Sequence, residues 1–239
     1  MLSVNLINHT PEPERTVAAA ARLCYSPVGA DKLVEDMTDE EVEKLLKIVI
    51  NNGHHSTLEH VSFTFAIEGV SRVLLAQLTR HRIASYSVQS QRFVREKEQF
   101  DYVIPEKIKD AAYYDEDGFV VDVLDEMFKT HMHNCHDFYN ELTEKLIKMG
   151  YKEKEAIEVA RYVLPNAAET KIVVTMNARS LLHFFEVRCC NRAQKEIREL
   201  AKEMLRKVKD VAPIIFDNAG PTCITENYCK EGKMSCDRN

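Results

Sequence analysis

The stretch between residues 80 and 92 restricts this chain more than any other: Arg80-His81-Arg82, seven intervening residues, then Ser90 and Arg92. Three fixed positive charges, an imidazole and a hydroxyl fall within thirteen residues. Such a segment repels itself and loses hydration when buried, so a fold closes over it only by supplying something anionic. Guanidinium groups fork onto phosphate oxygens, and Ser90 with nearby backbone N–H groups completes a cradle for them. Taken alone, the stretch is also compatible with a solvated basic surface. As a ligand site it calls for a nucleotide or something equally rich in phosphate.

The rest of the chain narrows the choice. Its 32 Lys and Arg against 38 Asp and Glu leave a net charge of −6, unlike the basic excess of general nucleic-acid binders. The basic stretch therefore reads as a local pocket for a small anion. With 239 residues, 45% hydrophobic and 29% charged, the chain can bury a full core. No apolar run approaches the roughly 18 residues of a membrane span. The start, MLSVNLINHTPEPERT, lacks a basic n-region and a long apolar h-region, so no export signal and no membrane association are expected, and a cytoplasmic location is. Seven cysteines without such a signal read as reduced thiols.

Periodicity predicts the elements. Pro13 suits a first helical position, and 14–25 continues that helix. Thr38 and Glu41 form a capping box before EVEKLLKIVINN, with Gly53 as the residue that ends it. Val61, Phe63, Phe65 and Ile67 alternate with Ser62, Thr64, Ala66 and Glu68, a half-buried strand. Ser71 caps a following helix that delivers Arg80 and His81 at its C-terminal end, where cations complement the dipole. Leu124, Met127, Phe128, Cys135, Phe138, Tyr139, Leu142 and Leu146 recur at helical spacing across 123–149. Helix 153–164 stops at Pro165, 170–176 is a strand, 180–211 is one final helix, and 115–122 is a surface loop. Strands and helices follow no regular βαβ alternation, so the expected class is α+β. That means one domain over 1–220, a mostly antiparallel sheet covered by helices, followed by a cysteine-bearing tail over 221–239.

Several other residues carry chemistry. Gly53-His54-His55-Ser56-Thr57-Leu58-Glu59-His60 sits where the chain turns, but His55 and His60 are five apart and His54 and His60 six, so neither pair has the spacing of helical zinc ligands. A polar loop facing a ligand is expected, and no metal. His183 and Arg188 lie roughly 140° apart around a helix and need not reach one ligand atom. Arg179 and His183 share a face if the helix starts early enough. Arg161, on an apolar helix, needs a partner, either Glu158 or a ligand phosphate. His131, His133 and His136 read as a solvated helix face. Cys223, Cys229 and Cys236 lack the tight C-x2-C pairing of zinc sites; three thiolates would need a fourth ligand, and a mobile reduced tail is expected.

Four segments, GHHSTLEH, RHRIASYSVQSQR, ARYVLP and NARSLLHFFEVR, stand in the order found in the flavin-dependent thymidylate synthases, and R-H-R-x7-S is highly specific to that family. The chain resembles that family over about 2–211. The resemblance implies a homotetramer with FAD sites built from several subunits. It places His54, Ser56, Glu59, Arg80, His81, Arg82, Ile83, Asn177, Arg179 and His183 around FAD. It places Gln77, Ser90, Gln91, Arg92 and Arg161 on dUMP, and Arg188 against the uracil ring. His54, Ser90 and Arg188 are the expected catalytic set, with Ser90 a positioner rather than a nucleophile. NADPH is the implied reductant and 5,10-methylenetetrahydrofolate the one-carbon donor, with hydride coming from the reduced flavin and no protein nucleophile needed. Two departures stand out: Val88 replaces an acidic residue often found two positions before the motif serine, and His183 stands where some members have Asn. Two other classes fit parts of the pattern, a non-catalytic nucleotide-binding regulator and a metal-dependent hydrolase using His54, His55, Glu59 and His60.

Overall fold

Local signals fix most element boundaries, and tertiary hydrogen bonds fix the rest. The computed structural model describes residues 1–236. In chain order come strand β1 (Ser3–His9), helices α1 (Pro13–Leu23), α2 (Ala30–Asp36) and α3 (Asp39–Asn51), a 3-10 turn over His55–His60, and strand β2 (Ser62–Ser71). Helix α4 (Arg72–Leu78), strand β3 (Ser85–Val88), the hairpin of β4 (Ala112–Tyr114) and β5 (Val120–Val123), helix α5 (Leu124–Lys148) and helix α6 (Glu153–Ala160) follow. Strand β6 (Glu169–Asn177), helices α7 (Ala178–Arg188) and α8 (Lys195–Lys209), and the short α9 (Pro213–Phe216) and α10 (Thr222–Thr225) come last. The mixture of helices with antiparallel strands is the expected α+β class.

The chain gathers into two compact units, each discontinuous in sequence. One is built mainly from 68–76 and 88–171, the other from 2–67, 77–87 and 172 onward. The main sheet has strand order β1-β2-β6-β3. Thr10 N–H donates to the Ser62 carbonyl, joining the end of β1 to the start of β2. Ala178 N–H donates to the Val61 carbonyl, joining the end of β6 to the same point, so both neighbours run antiparallel to β2.

In the second unit, Val61, Phe63, Phe65 and Ile67 are fully buried, as their alternation requires. Phe63 meets Phe216 edge-on with ring centroids 5.5 Å apart, and Phe216 meets Phe185 at 5.9 Å. Thr38 closes its capping box: its hydroxyl accepts from Glu41 N–H at 3.3 Å while the Glu41 carboxylate accepts from Thr38 N–H at 3.0 Å. Gly53, at φ 69, takes the left-handed conformation that ends α3. The Glu14 carboxylate accepts from the Ile214 and Ile215 N–H groups at 2.6 and 3.2 Å, capping α9 from a distant part of the chain.

In the first unit, α5 packs on α6 through Tyr139, Ile157 and Ala160, and a second cluster joins Phe100, Met132 and Ala168. The buried seam of α5 is Met132, His136, Tyr139 and Thr143. Met127 and Phe138 lie outside it, about half exposed, so the apolar residues of this helix occupy more than one stripe. His136 is not on a solvated face: it is buried, its ring nitrogen 3.2 Å from the Glu96 carbonyl and 3.0 Å from the Asn140 amide.

Four other expectations need correction. Helix α4 ends at Leu78 rather than continuing through His81: the chain tightens there, with Arg80 N–H donating to the Gln77 carbonyl and His81 N–H to the Leu78 carbonyl, and the Tyr86 hydroxyl lies 2.8 Å from both the Leu78 and His81 carbonyls. The helix expected over 180–211 is two helices; the Arg198 guanidinium donates to the Asn191 and Ala193 carbonyls and satisfies the backbone at the break. The loop expected over 115–122 is the tip and second strand of the β4–β5 hairpin, where the Asp115 carboxylate accepts from the Asp117 and Phe119 N–H groups and Gly118 supplies a positive φ. The tail is placed through Cys236 rather than loose, held by Lys230 to Glu186 at 3.1 Å and Arg192 to Glu231 at 2.8 Å. The last three positions of that expected tail, 237–239, lie outside the described residues.

Phe216→Ala removes the ring shared by Phe63 and Phe185 and is expected to cost about 3–5 kcal/mol, read as a lowered urea midpoint at unchanged slope.

Candidate functional site

In the second unit, β6 runs directly into α7, and Asn177 makes the junction: its side-chain oxygen accepts from Ser180 N–H at 2.8 Å. The helix thus starts early enough to put Arg179 and His183 on one face, as the i, i+4 spacing requires. Both line a cleft of about 1060 Å³ with His55, Lys47 and Asp217. The Arg179 guanidinium pairs with the Glu59 carboxylate from the 3-10 turn. His54 and Ser56 are exposed on that turn, while His55 faces the cleft.

Arg188, at the last turn of α7, donates from Nε to His81 Nε2 at 3.1 Å. An arginine has no acceptor, so His81 receives this bond through an unprotonated nitrogen. The His81 ring stands edge-on to Phe184 at 5.0 Å, with the His183 ring at 6.0 Å. Burial first, then the charges of Arg188 and His183, push its pKa down to about 4, so it is neutral at neutral pH. The pKa of Arg188 is lowered by burial and by neighbouring Arg80, though its guanidinium stays charged. His183 and Arg188, too far apart around the helix to share a ligand atom, thus share a neighbour. Ile83 points outward at 75% exposure, an apolar side chain beside three basic ones. Gln77 bonds Gln194 at the start of α8.

The first unit holds the other expected residues. Ser90 Oγ accepts from Arg92 N–H at 3.2 Å, and the Arg92 guanidinium reaches the Glu158 carboxylate at 2.8 Å. Glu158 is therefore the partner of Arg92, not of Arg161, and among the described residues Arg161 has no ion pair. Its charged neighbour is Arg72, whose pKa is lowered by burial and then by Arg161. Gln91 lines a separate cavity of about 210 Å³ with Glu96 and Asp101. Sequence reasoning passed over Arg72 and Lys47. Arg72 had a readable signal, a cation immediately after a helix-capping serine in an apolar stretch; Lys47 had none, being one of many lysines on an amphipathic helix.

Beside Arg188, Cys189 is buried, and burial pushes its thiol up to about 11. A thiol in that state stays protonated and is a poor nucleophile. Among the described residues, no three His, Cys, Asp or Glu side chains stand close enough to share an ion as placed. The cleft of about 1060 Å³ has room for a large, flat cofactor and offers it Lys47, Arg179, His55 and His183, although Glu43, Glu186, Asp217 and Glu226 line it as well.

Comparison with known proteins identifies the family. The family described as thymidylate synthase complementing protein matches residues 5–214. A flavin-dependent thymidylate synthase of Clostridium tetani is 51% identical over 98% of this chain and 93% of its own length. One from Geobacter sulfurreducens is 49% identical, covering 98% of this chain and 94% of the relative. One from Sulfolobus acidocaldarius is 40% identical, covering 99% and 84%. No helix among the described residues is long and apolar enough to cross a membrane.

Because its pKa is depressed, His81 contributes stability that is complete above its unfolded value and lost as pH falls toward about 4. An NMR titration is expected to show its ring unprotonated down to that region, and the acid side of the stability profile is expected to flatten in His81→Gln.

Proposed function

The chain belongs to the flavin-dependent thymidylate synthase family, and on that footing we propose that it converts dUMP to dTMP, taking the one-carbon unit from 5,10-methylenetetrahydrofolate and releasing tetrahydrofolate. FAD, when bound and reduced by NADPH, supplies the hydride for this conversion. Residues 1–220 form the catalytic domain in this reading. The observation that carries the site assignment is the Arg188–His81 hydrogen bond, which holds a charged guanidinium in a partly buried, strongly basic setting.

Arg179, His183 and Asn177, with Glu59, His54 and Ser56 from the 3-10 turn, hold the flavin, and Arg80, His81, Arg82 and Ile83 hold its diphosphate end. Arg92 and Arg161 hold the dUMP phosphate, with Gln77, Ser90 and Gln91 on its remaining polar groups. Arg161 makes no ion pair among the described residues and its charge acts on Arg72, which supports this, since two neighbouring arginines are relieved by an arriving dianion. Ser90, whose hydroxyl orders the Arg92 backbone, positions rather than attacks. Arg188 stabilises negative charge developing on the uracil, an interaction strongest in the transition state. Cys189 takes no part as a nucleophile. His54 is the third member of the catalytic set.

The sites are shared between subunits of a homotetramer working in the cytoplasm. The outward apolar side chains of Phe119, Val121 and Met127 support such association.

Purified protein given FAD is expected to keep an oxidised-flavin absorption band that shifts on adding dUMP; no retained flavin, even after reconstitution, would sink this reading. Arg188→Ala is expected to lower turnover about 10²–10³-fold while the flavin band is kept. Sedimentation is expected to return four copies of the 27.5 kDa chain, and a monomer in working conditions removes the shared-site part.

A further inference from the structure

The reaction uses none of the chain's thiols, yet four of the seven lie around one place. Cys190, from the break between α7 and α8, lines a cavity of about 190 Å³ together with Cys223, Cys229 and Cys236 of the C-terminal segment. All four are free thiols. Sequence spacing offered three tail cysteines without a fourth ligand; the fold supplies it from a distant segment. Two ion pairs, Arg192–Glu231 and Lys230–Glu186, and a bond from Arg192 to the Met234 carbonyl hold the tail against this part of the second unit. Arg192 also lines the cavity.

We propose that Cys190, Cys223, Cys229 and Cys236 form a thiolate site for a soft divalent cation of the zinc class, which fastens the C-terminal segment to the end of α7. Four sulfurs are the ligand set of closed, structural zinc sites, and a set without an open position suits fastening rather than chemistry. As placed, the sulfurs line the cavity without converging on a point. Binding therefore draws the tail inward onto Cys190, releasing one proton for each thiol that becomes a ligand. The site is separate from the proposed reaction, so its test does not depend on turnover.

The experiment titrates Co²⁺ into the full chain, purified with reductant and stripped with chelator. One equivalent is expected to give sulfur-to-metal charge-transfer absorption with the strong visible bands of a tetrahedral site, and one equivalent of Zn²⁺ is expected to abolish them. Zinc should also raise the melting temperature and protect four thiols from a thiol reagent. Cys190→Ser and Cys229→Ser are each expected to weaken binding by at least about tenfold, the loss that even an outer-shell change can produce. Cys236→Ser, at an exposed position and free of core packing, gives the same test without risk to the fold. Cys24→Ser, an exposed cysteine beyond α1, should leave the spectrum unchanged. Cobalt binding without charge-transfer bands, or bands surviving in the Cys190→Ser/Cys229→Ser double variant, overturns the proposal.

Discussion

The pairing of β2 with β6 is the constraint on which the rest hangs. The bond from Ala178 N–H to the Val61 carbonyl, with the Thr64 and Thr175 hydroxyls 2.9 Å apart, fixes the register of these two strands. A slip of one residue would turn Phe63, Phe65 and Ile67 out of the core, so burial enforces the register as strongly as the hydrogen bonds do. With the register set, the 3-10 turn that precedes β2 lies beside the start of α7. Glu59 then meets Arg179 without either segment carrying a signal for the other.

Charge is the second organising force. The acidic balance of the whole chain gives way, in each unit, to a spot where cations outnumber the acids beside them. At one spot Arg80, Arg188 and a neutral His81 stand together; at the other, Arg72 faces Arg161. Folding places these groups against their own repulsion and at the expense of hydration. Such an arrangement is the local inconsistency that marks a functional site, where stability is given up for ligand recognition.

Much of this was legible in the sequence because it rests on short-range rules. The capping box at Thr38 and Glu41, the left-handed Gly53, the alternation through β2 and the R-H-R-x7-S spacing are all readable within a few residues. What escaped notice depends on distant partners. Nothing near Leu78 shows that the Tyr86 hydroxyl will meet its carbonyl where the helix stops, and nothing near Cys190 shows that Arg198 will stabilise a break there. The choice of partner for Glu158 was likewise undecidable, since helical proximity favoured Arg161 while the fold gave it Arg92. The buried seam of α5 was misread because its apolar residues exceed what one stripe can hold; only packing shows that His136, and not Phe138, turns inward.

Asn177 carries a consequence for the direction in which recognition can run. An amide side chain ordinarily offers both an acceptor and a pair of donors, and can rotate to suit either need. Here the oxygen accepts from the Ser180 N–H, which fixes the flip and turns the NH₂ to the other side. The residue is a biased reader: its two N–H groups greet a carbonyl, a ring nitrogen or a phosphate oxygen, while only the second lone pair of an already engaged oxygen is left for a donor. An aspartate at the same place would keep the helix start intact and reverse that polarity, so architecture alone would be blind to the exchange that a ligand would feel at once.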